Sequence, residues 1–181
     1  MSQPAHSTLH ASHSSSRLPW LLLISAAVIV LDRLSKIWIT RHVEIGSAIP
    51  VIPKVFRVTH VLNDGAAFSL FADSATPEHV RWALIAFSSA AVIAVLVVLV
   101  KVGRRLNLMT IALALVLGGA IGNLYDRIRF ASVVDFLEVH IVHYHWPDFN
   151  VADSAIVVGA CLLFLDALRS RKNSSGDEPA K

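Results

Sequence analysis

From Trp82 to Val100 the chain carries no charged residue. A helix rises about 1.5 Å per residue, so this run matches the roughly 30 Å hydrocarbon core of a bilayer. Within hydrocarbon every backbone N–H and C=O must be paired inside the segment, which leaves a helix as the conformation open to a single run. Three further apolar stretches, at about 18–40, 106–125 and 150–168, meet the same requirement. Composition agrees: 55% of the 181 residues are apolar and 16% charged, against about 25% charged in an ordinary soluble domain. The expectation is an all-α membrane protein with four transmembrane helices. One membrane domain would cover 17–170, with disordered cytoplasmic tails at 1–16 and 171–181.

The net charge is +3, and the basic residues fall at segment ends rather than along a groove. They read as topology signals, not as a nucleic-acid footprint. Cys161 is the single cysteine and lies in an apolar run, so no intramolecular disulfide forms. A thiol or metal enzyme is disfavoured, and no cofactor is called for.

In the serine-rich leader, His6, His10 and His13 are not read as metal ligands, nor does the leader read as a signal peptide, because no small-residue cleavage site follows. The first span contains Asp32 and Lys36, four apart on one helix face and able to pair away from lipid. Residues 41–76 are too mixed to span, and their β-branched and aromatic residues predict a small sheet or flap on the membrane surface. Pro50 and Pro53 argue against a central strand there. Asn63-Asp64-Gly65 is a turn signal, and composition alone makes Asn63 a turn former first. Lys101, Arg104 and Arg105 form a short basic link that reads as cytoplasmic, so four spans put both termini on that side. Gly118 and Gly122 let a neighbouring helix approach closely. Gly119, Asn123 and Arg127 stack on the adjoining face, with Asp126 beside them. Residues 130–149 are too polar to span, and FLEVHIVHY predicts a short interfacial helix anchored by Tyr144 and Trp146. Without a compact metal-site pattern, His140, His143 and His145 read as interfacial residues rather than ligands.

Carboxylates at a membrane edge are costly, which makes Asp126, Asp135 and Asp153 candidates for function. Asp135 and Asp153 end neighbouring segments on the outer face. Two carboxyls sharing a site cannot both ionise readily, so one can take a proton from water while the other, still protonated, holds a carbonyl. Asn150 would cap the last helix and bring Asp153 into its first turn, where the dipole favours a carboxylate. On spacing alone the pair could equally be a cap and an ion-pair partner, with Arg127 as the counter-charge. A transporter or proton-conducting protein is the rival reading, although its titratable groups would sit near the midplane on a continuous path. A non-catalytic scaffold is another.

The same residues fall into ordered blocks: Asp32-Arg-Leu-Ser-Lys36, Asn63-Asp-Gly-Ala-Ala-Phe68, Gly118-Gly-Ala-Ile-Gly-Asn-Leu-Tyr-Asp-Arg127, Val133-Val-Asp135-Phe and Phe149-Asn-Val-Ala-Asp153-Ser. Five such blocks on a four-span plan resemble the lipoprotein signal peptidase, or signal peptidase II, family. The resemblance implies an inner-membrane aspartic endopeptidase that removes the signal peptide of a prolipoprotein before a diacylglyceryl-modified cysteine. Asp135 and Asp153 would be the catalytic pair. Asn63, Gly65, Asn123, Arg127 and Asn150 would line and support the site, and Asp32 and Lys36 would support the fold around it. It also implies a small extracytoplasmic β-sheet, a short interfacial helix, inhibition by globomycin-type peptides, and action as a monomer on a substrate anchored in membrane lipid. Asp64, at the variable position of the second block, adds a carboxylate near the site.

Overall fold

The computed structural model describes residues 16–65, 76–141 and 144–175. Of the expected tails at 1–16 and 171–181, residues 1–15, with His6, His10 and His13, and 176–181 lie outside the described residues, as do Ala66–Phe68 of the second block and His143. In chain order the elements are α1 (Leu18–His42), β1 (Ala48–Ile52), β2 (Phe56–Asn63), α2 (Pro77–Val102), α3 (Leu108–Phe130), β3 (Val133–Ile141), β4 (Tyr144–His145) and α4 (Val151–Ser175).

All four helices are long and apolar enough to cross a membrane. Local chemistry sets their ends. Pro19 lies in the first turn of α1, where its missing N–H costs nothing. Thr76 caps α2 by accepting from the His79 N–H. Asn107 and Thr110 form a reciprocal capping box at α3, satisfying N–H groups that a helix start would leave unpaired. Ala131 ends α3 in the left-handed conformation at φ 65°. Helix α4 continues to Ser175, past residue 170, where the sequence reading set the tail.

α3 is the central helix. Half of its most apolar window is buried, against 11% for α2, and it packs on α1, α2 and α4. Phe87 is 76% exposed and Phe164 65%, so these faces look outward, as lipid-facing residues do. Small residues let the helices close. A Cβ on Gly118 would lie 2.7 Å from the Ser25 carbonyl oxygen of α1, and one on Gly119 would lie 2.3 Å from the Ala152 oxygen of α4. The expected close approach at Gly118 and Gly122 is found, and Gly119 serves a second neighbour.

A buried charge cluster ties α1 to α3. Lys36 Nζ donates to Asp32 Oδ2 at 2.8 Å and is ion-paired to Asp126 Oδ2 at 2.7 Å. Asp126 also takes Arg33 Nη1 at 2.6 Å. Asp32 turns its other oxygen to the Ala152 N–H of α4 at 3.0 Å, so this one carboxylate ties α1 to α4 as well. The four strands form a single antiparallel sheet in the order β1-β2-β3-β4. Proline-bearing β1 lies at its edge, as the missing N–H requires.

Residues 133–141 are a strand and not the expected interfacial helix, and the described residues contain no helix beyond the four spans. Val133, Val134, Val139 and Ile141 favour extended backbone, and β2 supplies a full pairing partner in which Val61 faces Asp135 and Asn63 faces Val133. That partner is remote in sequence, so local pattern missed it.

Two outcomes follow from this packing. Gly119→Ala forces α3 from α4 and should lower the thermal midpoint in detergent by a change worth about 1–3 kcal/mol, the usual range for overpacking. Lys36→Met strands Asp32 in the bundle and leaves Asp126 only Arg33. Differential scanning calorimetry should show a loss of about 3–5 kcal/mol, typical of breaking a buried ion pair from one side.

Candidate active site

The site lies where the C-terminal halves of α1 and α3 meet the start of α4 and the sheet. Asn150 accepts the Asp153 N–H on its side-chain oxygen at 3.0 Å, and Asp153 Oδ2 accepts the Asn150 N–H at 3.2 Å. This reciprocal cap holds Asp153 in the first turn of α4, as the sequence predicts. Asp135 projects from β3 and is 2% exposed.

Asparagine amides join the two carboxylates. Asp135 accepts from Asn63 Nδ2 at 2.9 Å on one oxygen and from Asn150 Nδ2 at 2.7 Å on the other. Asp153 accepts from Asn123 Nδ2 at 2.7 Å. Asn123 Oδ1 in turn accepts from Asn150 Nδ2 at 3.3 Å and from Lys36 Nζ at 3.2 Å. Asn150 therefore bonds both carboxylates, which puts the two acids within reach of one side chain and its backbone. Burial pushes the Asp135 carboxyl up to about 6, with the nearby Asp153 charge adding to the rise and the Asn63 and Asn150 amides opposing it. A buried acid with a second carboxylate beside it fits a pair that retains one proton.

Asn63 fills both roles between which the sequence left it. Its oxygen accepts the Gly65 N–H at 3.0 Å, forming the turn, and its nitrogen reaches Asp135. Gly65 holds φ +85°, and a Cβ there would lie 2.5 Å from Leu84 Cδ1, so this turn demands glycine. Arg127 Nη1 donates to the Asn123 carbonyl oxygen at 3.3 Å, and thus joins the site through the backbone of Asn123. Asp32 stays in the supporting cluster, whereas Lys36 belongs to both cluster and site. Arg33 went unassigned in the sequence; only its charge in a span hinted at a partner.

A cavity of about 450 Å³ opens beside α1, lined by Arg41, Ile45, His60, Leu62 and Val134 among others. Val134 and not Asp135 faces it, because successive strand residues point to opposite faces, and Lys36 stands on its wall as well as in the site. Farther along β3, His140 and His145 are not merely interfacial. They stack with ring centroids 4.6 Å apart and converge on Glu138, which Arg57 also grips through both carboxylate oxygens.

Comparison with known proteins agrees with this architecture. A lipoprotein signal peptidase of Pseudomonas fluorescens (strain Pf0-1) is 50% identical over 158 residues, 86% of this chain and 91% of that protein. One from Geobacter metallireducens is 39% identical over 155 residues, 86% and 94% of the two chains. Two solved structures of bacterial membrane enzymes superpose with TM-scores of 0.69 and 0.70 at 28% and 29% identity, covering 90% and 86% of this chain and 94% and 97% of theirs. The family model described as signal peptidase (SPase) II matches residues 24–169, a range that holds every carboxylate and amide of the network, and the chain belongs to that family of peptidases.

Proposed function

We propose that this chain is an aspartic endopeptidase that cleaves prolipoproteins before a diacylglyceryl-modified cysteine, with Asp135 and Asp153 as its catalytic residues. The observation that carries the reading is the amide bridge: four N–H donors from Asn63, Asn123 and Asn150 converge on two carboxylates, and none of these donors is a cation. Neutral donors fix both carboxylates in place without forcing full ionisation, so one proton stays with the pair.

The chemistry then balances over two steps. Asp153, ionised, takes a proton from water as the oxygen attacks the scissile carbonyl carbon. Asp135, protonated, gives its proton to the carbonyl oxygen, producing a neutral tetrahedral diol. Collapse returns a diol proton to Asp135, while Asp153 passes its proton to the departing cysteine nitrogen, and the pair is restored.

The substrate reading rests on the family and on location. The acid pair lies where the helical bundle ends and the sheet begins, whereas a proton path would need titratable groups along the midplane. The basic link at Lys101, Arg104 and Arg105 favours a cytoplasmic position for that end. Both termini are then cytoplasmic, with the acids at the outer face of the bacterial inner membrane. A diacylglyceryl chain adds roughly 0.8 kcal/mol of anchoring per buried methylene, which holds the scissile bond at one depth.

Purified enzyme should release the signal peptide from a lipidated precursor, and globomycin should block release. Asp135→Asn and Asp153→Asn should each lower kcat/KM by about 10³-fold or more, within the usual reach of a lost acid or base, with folding intact by circular dichroism. Full residual cleavage by either variant removes that residue from the pair.

The pH profile supplies a second check. Because Asp135 titrates upward of the ordinary carboxylate range, at about 6, its proton is lost as pH rises through that value, and kcat/KM should decline on an alkaline limb there. The Asn63 amide favours the ionised form and so lowers the Asp135 pKa, so Asn63→Ala should move this limb to higher pH. An unmoved limb would detach it from Asp135.

A further inference from the structure

Cross-strand geometry gathers three candidate ligands, two imidazoles and a carboxylate, at one point of the sheet. Glu138 and His140 are two apart on β3 and so share a face, and His145 pairs directly with His140 from β4. Two positions on one strand and one on its neighbour form a triangle small enough to chelate an ion. One ligand atom from each of Glu138, His140 and His145 lies within 4.8 Å of the other two.

Hydrogen bonding alone leaves this cluster unbalanced. Glu138 is 2% exposed, and its Oε1 already takes Arg57 Nη2 and His145 Nε2. A carboxylate oxygen offers about two lone-pair directions. His140 Nε2 lies 3.2 Å away, buried, and makes no hydrogen bond. A cation shared among the three atoms resolves the mismatch, since each imidazole nitrogen would present a lone pair instead of competing to donate a proton.

We propose that Glu138, His140 and His145 form a site for a zinc-class divalent cation. Two imidazoles and one carboxylate suit Zn²⁺, which binds such ligands at about 2.0–2.2 Å and leaves a fourth position to water. Arg57 holds both oxygens of Glu138 and keeps its carboxyl down at about 2, and outer contacts of this kind orient a metal-binding carboxylate. The guanidinium also repels the incoming charge, so the site is of moderate affinity. Its role is to fasten the two-residue β4 to β3. The ion takes no part in peptide hydrolysis, because Glu138 and Asp135 point to opposite faces of the strand. This inference stands apart from the peptidase reading.

The test uses the full chain in detergent, titrated with Zn²⁺ for thermal stability and with Co²⁺ for visible absorption. One equivalent of Zn²⁺ should raise the thermal midpoint by several degrees, and Co²⁺ should give d–d bands of a four- or five-coordinate site. His145 is 54% exposed, so His145→Ala should fold normally yet lose both signals. A variant with His6, His10 and His13 all changed to alanine should keep them. No midpoint shift and no d–d bands in the unsubstituted protein, equal signals in His145→Ala, or their loss with the leader histidines would each overturn the proposal.

Discussion

Lys36 is an ammonium buried to 1% exposure in a bundle made for lipid, and the arrangement of the acid pair depends on how it is satisfied. Its contacts are Asp32 of its own helix, Asp126 of α3, and the side-chain oxygen of Asn123. An ammonium has three N–H bonds and no lone pair; Asp32 takes one hydrogen bond, Asp126 an ion pair, and Asn123 the second hydrogen bond. The contact with Asn123 sets chemistry at a distance. Lys36 can only donate, so Asn123 must turn its oxygen inward, and its NH₂ is left to face Asp153.

The same logic passes from one amide to the next. Asn150 uses its oxygen on the Asp153 N–H, so its NH₂ faces Asp135 and Asn123 Oδ1. Asn63 uses its oxygen on the Gly65 N–H, so its NH₂ also faces Asp135. Each amide thus has one orientation, set by a donor on its oxygen side. Replacing these asparagines by lysines would bring more charge but pull the proton off the pair, since a cation in contact favours the ionised acid. Keeping the buried Lys36 ammonium an amide away from Asp153 tempers that pull. Burial then outweighs the hydrogen bonds at Asp135 and leaves its carboxyl high.

The sequence displayed the spans, the edge character of β1, the turn at Asn63 and the cap at Asn150, because each is a local consequence of hydropathy, a missing N–H or a short side-chain bond. It also displayed the approach at Gly118, where spacing alone identifies a helix face. β3 was hidden. VVDFLEVHI mixes apolar and polar residues in a way that suits an interfacial helix as well as a strand, and only pairing with β2 decides between them. Register was hidden with it. Arg57 meets Glu138 and His140 meets His145 only once the strands are aligned, so the histidines had no visible partner. Arg33 was missed for a related reason, since its mate Asp126 lies on a different helix.

β3 gives the molecule two faces with different demands. Asp135 needs a surrounding closed to bulk solvent, because bulk water there would relieve the burial that raises its carboxyl. Glu138, on the opposite face, needs a full counter-charge, because its carboxyl is ionised and 2% exposed. Alternation lets one strand meet both demands within four residues, yet it also couples them. A one-residue slip of β3 against β2 would exchange the faces, turning Asp135 toward the α1 cavity and Glu138 toward the amides. The Arg57–Glu138 fork opposes that slip at one end of the strand and the Asn63–Asp135 bond opposes it at the other. The register that holds the acid pair is therefore held by ion pairing well outside the site itself.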